Sequence, residues 1–313
     1  MTALEPTSAI RPASLSALMD TSITDERGTS LWQGAFQRLR RNPGAIVGAV
    51  IVLLFVLVSV FAPLIAPYAP AGSQWIDQVT PSTVPGRSPE HLLGLDPLGS
   101  DLFTQLVYGA RQSLIIGVVS TALGLFGGAV IGAIAGAFGG WVDTVVMRIV
   151  DILLSIPSLL LAVSVAAVLG RRPSAIMIAI GVAQIPIFAR LLRGSMLAQR
   201  NQDYVLASQS LGLKRKTIVM SHVLPNSLGP VIVQATLTLA TAIIEVAALS
   251  YLGLGAPDPA VAEWGRMLVK AQDRIQSDPH LTVIPGICIA VTALGFTLFG
   301  EALREALDPK SRR

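Results

Sequence analysis

SLIIGVVSTALGLFGGAVIGAIAGAF, Ser113–Phe138, contains no charged side chain. A helix needs about 20 apolar residues to cross a hydrocarbon core of about 30 Å, and this run exceeds that. Gly124, Gly128, Gly132 and Gly136 follow one another at intervals of four, on one helical face. Glycine at that spacing lets a second helix approach closely. The stretch predicts a membrane-spanning helix packed tightly inside a bundle.

Five more runs of similar character flank it. The six expected spans are Gly44–Ile65, Ser113–Phe138, Thr144–Leu169, Ser174–Gly194, Leu228–Leu254 and Leu281–Ala302. Their many β-branched residues do not argue for strands, because a helix satisfies its own backbone hydrogen bonds in lipid. Composition agrees: 52% of the residues are hydrophobic and 13% charged, against about 25% charged in a soluble domain. Four Trp and four Tyr are too few for the aromatic girdles of a membrane barrel. The fold class expected is an all-α membrane protein.

The ends are different. Residues 1–30 are polar, with scattered Pro, Ser and Thr, and read as a disordered tail. In Leu31–Arg41, Leu31, Trp32, Ala35, Phe36 and Leu39 recur at helical spacing opposite Gln37, Arg38, Arg40 and Arg41. This predicts an amphipathic helix over 31–43, lying on the membrane surface. The six-span bundle then occupies 44–303, and 304–313 form a second short tail. A cleaved signal peptide would place its apolar stretch nearer the start and make it shorter.

Of the 23 Lys and Arg, sixteen fall on one side of these spans and seven on the other. The positive-inside bias puts both termini in the cytoplasm. The same bias accounts for the net charge of +4 without nucleic acid. Cys288 is the one cysteine and lies in an apolar run, where it reads as a small buried hydrophobe. No His or Cys spacing suggests a metal site.

The segment 195–227 between the fourth and fifth spans is too long for a turn. Asn201 or Asp203 can cap a helix over Tyr204–Leu211. Gly212 can end it in a left-handed conformation. A second piece starts at Lys214 and is expected to end before Pro225. The result is a helix–Gly–helix elbow whose first arm carries two small residues, Ala207 and Ser208. A partner protein can seat such an arm deeply in a groove.

Here the sequence resembles a family. Leu206-Ala207-Ser208, then Gly212, then His222-Val223-Leu224-Pro225 keep the register of the Glu-Ala-Ala…Gly…Ile-x-Leu-Pro loop of ATP-binding-cassette importer permeases. Leu206, Ser208 and His222 depart from the usual Glu, Ala and Ile. Further stretches resemble the dipeptide/oligopeptide/nickel branch and, within it, the second or C-type permease. They are Leu93–Asp101 (LGLDPLGSD, with Ser100 where Arg is usual), Tyr108–Leu114, Gly139–Asp143, Arg148–Asp151, Glu245–Gly255 and Trp264-Gly265. The match runs from about Leu31 to Pro309.

The resemblance implies a type I importer transmembrane domain. It implies a heterodimer with a second permease, two ATP-binding subunits below, and an extracytoplasmic binding protein that delivers peptide. Tyr204, Val205, Leu206, Ala207, Ser208, Leu211 and Gly212 would form the coupling helix that carries ATPase movement to the spans. ATP and Mg would bind the partners. No Gly-x-x-x-x-Gly-Lys-Ser/Thr loop occurs in this chain, so the chain is expected to be no enzyme in itself.

Glu245 lies well inside the fifth span. A carboxylate in lipid is costly and should face the bundle interior, as a pathway or gating group or as a structural hydrogen bond. Arg148 and Asp151, three apart, are expected to pair. The outer segments 66–110 and 255–280 could meet a binding protein or merely cap the bundle. Two other functions compete. An ion-coupled carrier would work without ATPases and needs no docking elbow. An intramembrane enzyme needs a nucleophile–base or metal set, and none is evident.

Overall fold

The computed structural model describes residues 31–70, 73–80, 83–258 and 261–307. The expected tail over 1–30, and 308–313 of the second tail, lie outside the described residues. Among the described residues the chain is helical, with one isolated bridge, Leu95 to Asp101. In chain order we name α1 (Leu31–Leu39), α2 (Pro43–Val60), α3 (Ala62–Ile65), α4 (Leu102–Phe138), α5 (Gly140–Leu154) and α6 (Ser158–Leu169). Then come α7 (Pro173–Arg200), α8 (Asp203–Ser210), α9 (Arg215–Ile218), α10 (Leu224–Leu249), α11 (Trp264–Ala271) and α12 (His280–Leu307).

Among the described residues five helices are long and apolar enough to cross a membrane, and six spans result if α5 and α6 together count as one. The all-α membrane fold therefore stands, with changes in its details. The third span is not continuous: α5 and α6 meet at a bend of 91°. The cause is Pro157, which lacks an N–H donor and pushes Ile156 away from helical geometry. The second span starts at Leu102 rather than Ser113, because Asp101 caps it there, accepting the Thr104 N–H at 2.8 Å. Residues 102–110, expected in the outer loop, are its first turns.

The α4–α7 pair is the centre of the bundle. A Cβ on Gly128 would lie 2.7 Å from the Ile185 carbonyl oxygen, and one on Gly132 would lie 2.5 Å from that of Ala189. These contacts are with main chain, so they leave no room for any side chain. The glycine face read from the sequence is the contact face. A second close approach joins the first and last spans. Gly48 packs on the backbone of Gly295 and Phe299, and Gly295 packs on Ile51.

The segments expected on the outer side form a built cap. Asp96 Oδ1 accepts the N–H groups of Leu98 and Ser100 at 2.9 and 2.8 Å, closing the Leu93–Asp101 turn. Its Oδ2 takes Lys270 Nζ at 3.0 Å, from α11, with both side chains nearly excluded from solvent. Trp264 at the start of α11 donates to the Leu106 carbonyl at 2.9 Å. His91 pairs with Asp101 at 2.9 Å inside a cluster with Tyr68 and Trp75. Glu263 caps α11, accepting from Gly265 and Arg266. Burial pushes its carboxyl above the usual carboxylate range, against the bonds from Ser250 and those two amides.

Asp96→Ala leaves Lys270 buried without its partner, which costs roughly 3–5 kcal/mol. We expect protease cleavage within 73–101 in that variant. The double variant Asp96→Ala/Lys270→Met should recover most of the protection, since no buried charge is stranded. Equal cleavage of the single and double variants would show that the pair does not hold the cap.

Candidate functional site

The elbow occupies 201–214, narrower than the expected 195–227. α7 continues through Arg200, and α9 follows Lys214 directly. Neither Asn201 nor Asp203 is the N-cap of α8. Gln202 takes that place with extended backbone and no side-chain bond, and Asp203 is the first helical residue. Its charge still favours the positive end of the helix.

The far end of α8 follows the sequence expectation. Gly212 has φ +76°. The Leu213 N–H bonds the Ser208 carbonyl at 3.2 Å, and the Gly212 N–H bonds the Gln209 carbonyl at 2.9 Å. This pair of bonds is a Schellman motif, and it needs the left-handed residue that glycine supplies. The second arm does not stop before Pro225. α9 passes through a wide turn, Val219–Val223, straight into α10. A wide turn shifts the hydrogen-bond register just where Pro225 has no N–H to give.

The seven predicted elbow residues divide into two groups. Val205 is buried against Phe188, Leu192, Met196, Ile218 and Val223, so it anchors α8 to its own bundle. Tyr204 is half-buried and its hydroxyl donates to Gln199 Oε1 at 2.7 Å. The Ser208 hydroxyl turns back to the Tyr204 carbonyl at 2.7 Å. Leu206, Ala207 and Leu211 face outward, Leu211 being 82% exposed. Exposed Leu213, in the link after Gly212, and Met220, on the second arm, lie just beyond them. An apolar surface at the end of a short rigid helix, outside the spans, is suited to a protein partner.

Sequence reasoning missed what fastens the elbow. Arg200, before it, donates to the Ala137 carbonyl at 2.7 Å. Arg215, after it, donates to the same carbonyl at 2.8 Å and to that of Phe138 at 3.0 Å. Both guanidiniums therefore cap the C-terminus of α4, where carbonyls lack partners and the helix dipole is negative. Nearby, Arg193 holds both Asp143 oxygens at 2.9 and 2.6 Å, tying α5 to α7. Asp151 pairs with Arg190 of α7, not with Arg148 as expected. The bend between α5 and α6 turns α5 along the end of α7, and the ligand comes from that helix. The only signal in the sequence was a run of basic residues, read as topology alone.

Glu245 lies apart from the elbow. Its Oε1 accepts the Ser158 hydroxyl at 2.8 Å, at the first residue of α6.

The sequence was compared with known families and proteins. Residues 128–313 match a profile described as "Binding-protein-dependent transport system inner membrane component". The chain belongs to this permease family. Residues 30–83 match a second profile, "N-terminal TM domain of oligopeptide transport permease C". A dipeptide transport system permease protein of Alkalihalophilus pseudofirmus is 43% identical over 283 residues, covering 90% of this chain and 91% of that one. An oligopeptide transport system permease protein of Bacillus subtilis is 38% identical, covering 98% and 99%. A glutathione transport system permease protein of Pectobacterium atrosepticum is 35% identical, covering 92% and 94%. Among solved structures, an inward-facing MetNI methionine ABC transporter chain superposes with a TM-score of 0.54 at 20% identity, covering 66% of this permease and 98% of that chain. At that identity the likeness concerns the fold. The permease is thus a multi-pass membrane component of an importer, not an ATPase, and the ion-driven carrier is not favoured.

Proposed function

We propose that this permease forms the translocation path of an ATP-driven importer of di- and oligopeptides, together with a second, homologous permease. The observation that carries the reading is the elbow. It presents Leu206, Ala207 and Leu211 outward while Val205 and the two arginines fasten it to the bundle. A surface held that firmly transmits a push. One of two ATP-binding subunits, which hold ATP and Mg, would seat α8 and move it as they close. α4 and α7 would follow, because Arg200 and Arg215 tie the elbow to α4 and glycine packing ties α4 to α7. The chain would then do mechanical work and make no bonds.

Peptide cargo rests on the relatives named above, which also include glutathione permeases. The remaining arrangement follows from charge and position. α1 and the end of α12 share one side, with Arg38 donating to the Ala306 carbonyl at 3.2 Å and Asn42 to Glu305 at 3.1 Å. The charge bias supports a cytoplasmic place for that side, in an inner membrane. The capped outer segments would then face an extracytoplasmic binding protein.

The test is purification through a tag on this chain in mild detergent. A second permease and ATP-binding subunits should copurify. The complex should hydrolyse ATP faster when peptide-loaded binding protein is added. A chain that stays alone and transports in liposomes without ATP would overturn the reading.

A further inference from the structure

The break between α5 and α6 is in an unusual place. α6 has 12 residues and so rises about 18 Å from the break to Gly170 at the outer side. The break therefore lies deep within a hydrocarbon core of about 30 Å. Glu245 lies at the same depth, because the Ser158 hydroxyl at the break donates to its Oε1 at 2.8 Å.

Two of the four residues there, Ser155 and Ser158, carry hydroxyls, and Ile156 and Pro157 lie between them. Ser155, Pro157 and Ser158 are exposed on the surface of this chain. Pro157 begins α6 without any side-chain cap, so the first N–H groups of that helix have no partner within it. Beside them, Glu245 Oε2 is buried and has no hydrogen-bond partner among the described residues. Lipid cannot satisfy such groups. Interrupted backbone at membrane depth persists only where protein buries it or a water-filled cavity passes it. Charged residues within spans mark substrate pathways for the same reason.

We infer that the break at Ser155–Ser158, with Glu245 behind it, lines the translocation path and binds a cationic group of the cargo in transit. The carboxylate is the anionic member of the site. Ser158 holds one of its oxygens and leaves the other to a ligand. On the cytoplasmic side of the break, Asp151 and Arg190 balance each other and add no net charge. The chemistry selected is a protonated amine, as on a peptide N-terminus or a Lys side chain. This inference rests on the importer reading and adds where the path runs.

The test is cysteine labelling in the assembled complex, in a Cys288→Ala background. Ser158→Cys should react with a water-soluble cationic methanethiosulfonate about tenfold faster than with an anionic one. Adding Glu245→Gln, which keeps an acceptor for a hydrogen bond and removes the charge, should abolish that preference. Ser155→Cys serves as an independent position should Ser158→Cys fail to assemble. Phe126→Cys, at an exposed apolar position of α4, should stay unlabelled. No labelling of either serine position in any nucleotide state would overturn the inference. So would equal rates for the two reagents. Copurification of the ATPases and their hydrolysis are read in the same preparations. Loss of those would count against the importer itself, and their retention confines a negative result to the path.

Discussion

Gly128→Leu is expected to abolish the stable bundle. A side chain there has no space, because main-chain atoms of α7 occupy it, the Ile185 oxygen being 2.7 Å from a Cβ. Overpacking commonly costs about 1–3 kcal/mol where neighbours can shift. Backbone of a packed helix cannot shift without moving the helix, so the cost should reach or exceed the top of that range. Thermal unfolding of the detergent-solubilised permease should show a large drop or no transition at all. Gly194→Ala is the companion measurement. Nothing lies within 4 Å of a Cβ at that position, and alanine is the better helix former by up to about 1 kcal/mol. That variant should be as stable as the parent or more so. Equal behaviour of the two variants would show that the α4–α7 approach does not hold the bundle.

Ala207→Trp is expected to separate membrane assembly from ATP use. Ala207 is exposed, so the larger side chain meets nothing in this chain. The chain should insert and pair with the second permease as before. Seating of α8 in an ATP-binding subunit should suffer, with a loss of about 2 kcal/mol, the size of a hot-spot contribution, if Ala207 lies at the centre of the docked surface. That corresponds to about thirtyfold weaker retention of the ATPases, read by quantitative copurification, with transport lost in parallel. Gln276→Trp, an exposed position at the opposite end of the bundle, should leave retention unchanged. Normal retention in Ala207→Trp would remove α8 from the docking surface.

The sequence was most informative where one interaction decides the outcome. Glycines four apart can only serve a close helix contact at that depth, and they do. Gly212 had to be the left-handed residue of a helix end, and its backbone is. Hydropathy located the spans but not the interruption of the third. There the apolar run continues through Pro157, and composition alone does not register one missing N–H. The start of α4 was set too late for a related reason. Arg111 interrupts the apolar run, yet a helix capped at Asp101 tolerates it outside the hydrocarbon. Pairings between distant segments were not legible. Asp151 had Arg148 at a suitable spacing, but the bend beside it brought Arg190 instead. The capping of α4 by Arg200 and Arg215 joins residues more than sixty positions apart. No local pattern announces such a contact.

The fastening of α1 and α2 to α12 has a consequence for how the protein is made. The first of the described spans finds a packing partner in the last of them, which is made some 220 residues later. Until His280–Leu307 enters the bilayer, Gly48 has no Gly295 to meet, and Arg38 has no carbonyl of Ala306. The opening span can meet α4 earlier, through Phe55 against Leu102, but its glycine seam stays unfilled until α12 arrives. A nascent chain cut short before α12 would be left open along that seam, visible to quality-control proteases.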